Sequence, residues 1–199
     1  DSGATGLGYR EADLTREVVW MIPDYLSPYA NVTVGDTNRD WFMWLRTHNY
    51  DFTPYDYVLE VHFNSGASDP NGNGRGTGTE IYVTTSETGI TVEQDILANM
   101  SALGFTNRGV KRKNFTVISK IKQQGVSAAL LEVAFIDDRD DMNLYQAKKN
   151  EIAKAITDGI VEGFGLENPT ESGELTMTQY EELSGRIDDL QTKVSGAEA

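Results

Sequence analysis

Apolar positions recur along this chain with two different periods, and the change of period marks out the elements. Tyr57 to Ser65 reads as a buried strand around Val58, Leu59 and Val61, with His62 near its carboxyl end. Thr79 to Thr85 alternates as a second strand, and Ser127 to Phe135 is an apolar run interrupted by Glu132. Asn31 to Val34 is a shorter strand candidate. Between these runs the spacing changes to three and four residues. From Glu11 onwards, Leu14, Val18, Val19, Ile22 and Leu26 trace a helix that Pro23 is expected to kink or break. Trp41, Met43, Trp44 and Leu45 suggest a second helix and Thr91 to Leu103 a third. One long helix is expected from about Asp141 to Glu162. Strands alternating with helices imply an α/β fold: a single domain with a mostly parallel, twisted sheet covered by helices on both faces.

The connections are uneven. The chain opens on a glycine-rich stretch with no strand before it, and Ser65 to Gly78 carries five glycines, Pro70 and two asparagines. A connection of 14 residues beside a strand end is often functional. Asn107 to Lys113 reads as a basic turn. Past residue 165 the composition changes. Residues 1–165 form the expected main domain and 166–175 a linker. Residues 176–199 form an amphipathic helix, in which Tyr180, Leu183, Ile187, Leu190 and Val194 offer a short coiled-coil seam for self-association. Barely two heptads long, it is marginal alone.

Composition narrows the chemistry. With no cysteine there is no disulfide, thiolate metal site or cysteine nucleophile, so any metal relies on histidine, carboxylate and water. A net charge of −14 argues against a nucleic-acid partner. No apolar run approaches the roughly 20 residues that span a bilayer. Residues 166–199 carry −6 of the total charge and residues 1–165 carry −8.

Three residues stand out. His62 sits at the carboxyl end of its strand, where ligand sites of open α/β sheets lie. Alone it reads as an ordinary hydrogen-bonded histidine. Glu11 starts a helix, where the dipole favours an acid in any case. Glu132 is harder to explain structurally, because a carboxylate within an apolar strand is costly without a partner. Either it is paired in the core, or it is a buried acid–base group with a raised pKa. Two carboxylates and an imidazole together fit an open zinc site plus a base. His48, in the second helical region, has no loop geometry to deliver it there.

Four stretches also carry a family resemblance, in order along the chain. They are Asp1-Ser-Gly-Ala-Thr-Gly-Leu-Gly-Tyr-Arg-Glu11-Ala-Asp-Leu-Thr; Val61-His62-Phe63-Asn64-Ser65 with Gly78-Thr-Glu-Ile-Tyr-Val83; Asn107-Arg108-Gly109-Val110-Lys111; and Leu130-Leu-Glu132-Val-Ala-Phe135-Ile. Over residues 1 to about 165 the chain resembles the zinc-dependent N-acetylmuramoyl-L-alanine amidases of the amidase-3 type, found in bacterial autolysins and phage endolysins.

The resemblance implies Zn2+ as cofactor, with Glu11 and His62 as ligands and Glu132 as the catalytic base. It implies peptidoglycan as the substrate, cut between N-acetylmuramic acid and L-alanine, and the bacterial cell wall as the site of action. The protein would reach the wall by secretion or by release on phage lysis. In the family a first strand and a Gly-His-Gly segment precede the Asp-Ser-Gly-Ala stretch. A third ligand, a histidine upstream of Asp1, is therefore expected. Arg108, Lys111, Arg112, Lys113, Lys120 and Lys122 concentrate six of the domain's fifteen bases, a local reversal of charge suited to the carboxylates of a stem peptide. Arg108 and Lys111, with Asn64, are the expected substrate-binding residues; a solvated basic turn and a capping Asn64 are the plainer alternatives. Two other functions compete with the amidase: a non-catalytic wall-binding or phage structural component, and a zinc peptidase acting on the stem peptide.

Overall fold

In the computed structural model, residues 3–168 are described, and beyond them Ser184 alone. The glycine-rich opening turns back on itself as a hairpin of β1 (Thr5–Gly6) and β2 (Tyr9–Arg10). Leu7 and Gly8 form its tip, both at positive φ, the conformation a two-residue hairpin turn requires. Helix α1 (Glu11–Leu26) leaves directly from β2. Pro23 does not break it: the proline falls in the last turn, and Ser27 N–H still reaches the Pro23 carbonyl at 3.1 Å. The stretch from Asn31 to Val34 is irregular rather than a strand.

Next come α2 (Trp41–Leu45), N-capped by the Asp40 side chain, and then β3 (Tyr57–Asn64). They are followed by β4 (Thr79–Val83), α3 (Thr91–Ala102) and β5 (Asn107–Arg112). The expected basic turn is thus a strand. The chain then forms α4 (Thr116–Lys122), β6 (Ser127–Phe135), α5 (Arg139–Ala147) and α6 (Lys149–Phe164). The single long helix expected here is two helices, because Lys148 adopts φ −133°, ψ 32° and interrupts the ladder. The main sheet runs β3-β6-β4-β5, with β3–β6 and β4–β5 parallel and β4–β6 antiparallel.

Alternate residues of each strand serve different cores. Val61, Phe63, Ile81, Val83, Leu131 and Val133 pack with residues of α1, α3 and α6 such as Val18, Ile96 and Ile156. Val58, Tyr82, Ala128 and Leu130 face the other way and pack with Leu45, Phe52, Ile118 and Ile121. The helices therefore cover both faces, but unequally. Beyond Val58 and Leu130 on the α2–α4 side, the next same-face residues are Glu60, His62 and Glu132, so that face changes from apolar to ionisable along its strands.

The chain divides into two units, residues 1–166 and 167–199. The expected linker falls mostly outside the described residues, as does the expected helix at 176–199 except for Ser184. No helix among the described residues is long and apolar enough to cross a membrane.

Candidate active site

A row of ionisable residues crosses the sheet in register. His62 on β3 is the lateral neighbour of Glu132 on β6, which is the lateral neighbour of Glu80 on β4. All three belong to the face whose apolar half is capped by α2 and α4, so the row begins where that cover ends.

Glu11, the first residue of α1, reaches this row from the sheet edge. Its Oε1 accepts from His62 Nδ1 at 2.8 Å and from Phe63 N–H at 3.3 Å, and its Oε2 accepts from Ala4 N–H at 2.6 Å. The opening loop closes on it so tightly that a Cβ on Gly3, at φ +65°, would strike the Glu11 side chain. Burial pushes the Glu11 carboxyl up, but the bonds from His62 and Ala4 outweigh it and hold the pKa below the ordinary value.

Burial by itself would lower the His62 pKa. Glu11 on one ring nitrogen and Glu60, 3.8 Å from Nε2, reverse this and raise it to about 10. Glu132 goes the other way from Glu11. Burial raises it, His62 draws it down, and the charges of Glu11, Glu80 and Glu60 push it up again, to about 7. Glu132 Oε2 and Glu60 Oε2 are buried with no hydrogen-bond partner. Orphaned carboxylate oxygens beside an imidazole, in an acid-rich pocket, suit a divalent cation that takes nitrogen and oxygen ligands.

The other expected site residues converge on a group that sequence reasoning passed over. Glu80 accepts from Asn64 Nδ2 at 3.0 Å, Tyr82 Oη at 2.7 Å, Arg108 Nε and Lys111 Nζ. Burial pushes its carboxyl up, yet the donors from Lys111, Arg108 and Tyr82 bring the pKa below the ordinary value. Arg108 and Lys111 are three positions apart, which would put them on opposite faces of a regular strand. A bulge corrects this: Thr79 pairs Asn107 and Ile81 pairs Val110, so Glu80 faces two residues, one of them Gly109 at φ +83°.

The remaining bases of the cluster go elsewhere. Arg112 bonds the Thr84 and Glu87 carbonyls, Lys122 pairs with Glu87, and Lys113 lies over the Phe115 ring. Asn64 caps its own turn through Ser65 N–H at 2.8 Å as well as binding Glu80. His48 lies apart from this constellation, stacked on Trp44 at 4.7 Å.

Among the described residues, the three-carboxylate group close enough to share one ion is Asp69, Asp138 and Asp140, with ligand atoms within 4.8 Å of one another. Their oxygens already serve the glycine-rich loop. Asp138 accepts from Thr77, Asp140 from Asn73, Gly74 and Arg75, and Asp69 from Gly72 and Asn73.

Residues 1–162 match the Amidase_3 family, described as N-acetylmuramoyl-L-alanine amidase. A sporulation-specific N-acetylmuramoyl-L-alanine amidase of Bacillus subtilis is 28% identical over 185 residues, covering 87% of this chain and 67% of the relative. The endolysin of Bacillus phage SPP1 is 28% identical over 177 residues, covering 83% of this chain and 62% of its own. In three dimensions the fold is similar to the amidase AmiC2 of Nostoc punctiforme, with a TM-score of 0.61 at 22% identity over 83% and 91% of the two chains.

Proposed function

This chain belongs to the N-acetylmuramoyl-L-alanine amidase family, and on that basis we propose that it hydrolyses the amide joining N-acetylmuramic acid to L-alanine in peptidoglycan, with Glu132 as general base. The observation that carries the assignment is the Glu132 carboxyl itself. It is in register with His62, has a buried Oε2 without a partner, and is pushed up to about 7. A base of that strength works at neutral pH with little energy spent on proton transfer.

Glu11 and His62 would hold the zinc from within residues 1–199, with the family's further histidine ligand beside them. When bound, zinc lowers the pKa of a water and polarises the scissile carbonyl. Glu132 Oε2 takes a proton from the attacking water and returns it to the nitrogen that leaves as the amine of L-alanine. The products are then a sugar lactyl carboxylate and a peptide with a free amino terminus. Arg108, Lys111 and Asn64 bind the peptide side of the substrate. The place of action is the bacterial cell wall, reached by secretion or by release on phage lysis.

Substitution Glu132→Gln removes the base and keeps the volume. Hydrolysis should fall about 10²- to 10⁴-fold, while zinc content and circular dichroism stay those of the wild type. Wall lysis near the wild-type rate would refute the assignment. Mass analysis of the digest separates the chemistries: peptides beginning with L-alanine mean amidase, and cuts within the peptide mean peptidase.

A further inference from the structure

Glu80 is an unusual residue to find buried within a sheet. Its side chain is 2% exposed, while Arg108 and Lys111, which both bind its Oε2, keep 34% and 36% of theirs in solvent. A buried carboxylate with two bases gives little stability over a well-packed apolar group. What it does give is position. Glu80 fixes the Nε edge of Arg108, whose guanidinium also lies 4.9 Å over the Phe135 ring. The ammonium of Lys111 is held against the same oxygen and 5.6 Å over the Tyr82 ring. Burial first, and then Glu80, raise Tyr82 to about 12, so its hydroxyl stays a donor to Glu80.

Two bases meet the one carboxylate of Glu80, and the Asp141 carboxylate also lies within electrostatic reach of Arg108. Arg108 retains donors for a ligand. Nε is used by Glu80, Nη1 makes a long 3.5 Å contact with the Thr77 carbonyl, and Nη2 has no acceptor among the described residues. Thr77 also lines a concavity with Asn73, Arg75, Gly76 and Thr106, so a third base, Arg75, borders the same loop. The row His62–Glu132–Glu80 places this cationic corner next to the base that performs the reaction.

We infer that Glu80 is a positioning residue that locks Arg108 and Lys111 into a fixed pair reading a free carboxylate on the peptide of the substrate. This rests on the amidase reading for the identity of the peptide, but the site is tested by binding rather than turnover. A fixed guanidinium and ammonium recognise a carboxylate by charge-assisted hydrogen bonds that its carboxamide cannot match. Peptides amidated at that position are therefore the disfavoured substrates.

The probe is a matched pair of short N-acetylated peptides beginning with L-alanine, one with free carboxylates and one with carboxamides, titrated calorimetrically into the full chain. The wild type should bind the carboxylate peptide about tenfold more tightly, with the advantage shrinking as salt is added. Glu80→Gln should bring the two affinities within about twofold of each other, and Glu80→Asp should restore part of the difference. Arg108→Lys keeps the charge, loses the edge that Glu80 grips, and should also cost most of the preference; it decides the matter if Glu80→Gln fails to fold. No preference in the wild type, or a full preference in folded Glu80→Gln or in Arg108→Lys, would overturn the inference. Release of free L-alanine termini by the same wild-type samples reports on the amidase reading separately.

Discussion

His62 is held between two carboxylates, Glu11 at 2.8 Å on Nδ1 and Glu60 at 3.8 Å from Nε2, and both favour its protonated form. In metal-free protein this makes the pair a pH-dependent clamp. The folded pKa of His62 is raised to about 10 from 6.5, so its contribution is complete below pH 6.5 and lost as pH climbs towards 10. Glu11 is lowered from 4.5, so its contribution is present above pH 4.5 and lost as pH falls through the folded value. Chelator-treated protein should therefore be most stable between those limits. His62 is 38% exposed, and solvent screening holds the alkaline loss to about 1 kcal/mol, a fall in Tm of roughly 2–4 °C. Calorimetric scans at pH 6.5 and 9.5 on chelated wild type and His62→Gln test this. A drop of equal size in the variant would show that some other group is titrating.

At the scale of elements, α6 lies backbone to backbone against α3. A Cβ at Gly159 would strike Ile96 N and lie 2.5 Å from Ile96 Cα, and one at Gly163 would lie 2.5 Å from Val92 Cα. Two opposing terms act on Gly159→Ala. Helix propensity favours alanine by about 1 kcal/mol, while overpacking costs about 1–3 kcal/mol. Because the obstacle is backbone rather than a side chain that can swing away, the clash should win. The expected net loss is about 1 kcal/mol, or roughly 2–4 °C in Tm, read by thermal melting. Gly89→Ala, where a Cβ meets nothing within 4 Å, is the control and should leave Tm unchanged.

The same scale explains what the sequence could and could not show. Glu132 and His62 were legible because each breaks an apolar run, and Glu11 because a helical pattern starts on it. Glu80 and Glu60 were not legible, since a period of two places a residue on a face without saying whether water or a base lies there. The approach of Arg108 to Lys111 depends on the Gly109 bulge, which in sequence looks like a turn. The division of α5 from α6 at Lys148 was hidden because the apolar spacing continues across it. The glycine-rich loop looked open but is anchored. Asp137 accepts from Gly66, Ala67 and Ser68, and Asp141 from Gly78 and Phe135. The acidic run after β6 thus holds the far side of the cleft.

For the whole molecule the question is what residues 167–199 add. The first unit finishes its own last helix: Gly165 adopts φ +62°, its N–H bonds the Glu162 carbonyl, and Leu166 N–H bonds Val161 at 2.9 Å. Chain cut after Asn168 keeps that cap and every core residue of both apolar clusters among the described residues, so its melting and its hydrolysis per mole should match those of the full chain. The tail, whose seam of Tyr180, Leu183, Ile187, Leu190 and Val194 lies outside the described residues, is proposed from the sequence alone to self-associate, with docking on the domain or a solvated helix as the other readings. Its net charge of −6 works against pairing, since two copies bring twelve excess negative charges together. Salt screens that repulsion, with a Debye length of about 10 Å at 0.1 M and about 3 Å at 1 M. The dimer fraction should therefore grow with ionic strength, the reverse of an association held by opposite charges. Sedimentation velocity at low and high salt on the full and cut chains checks this. A single monomeric species from the full chain under both conditions would remove the oligomeric role and leave the tail as a tether.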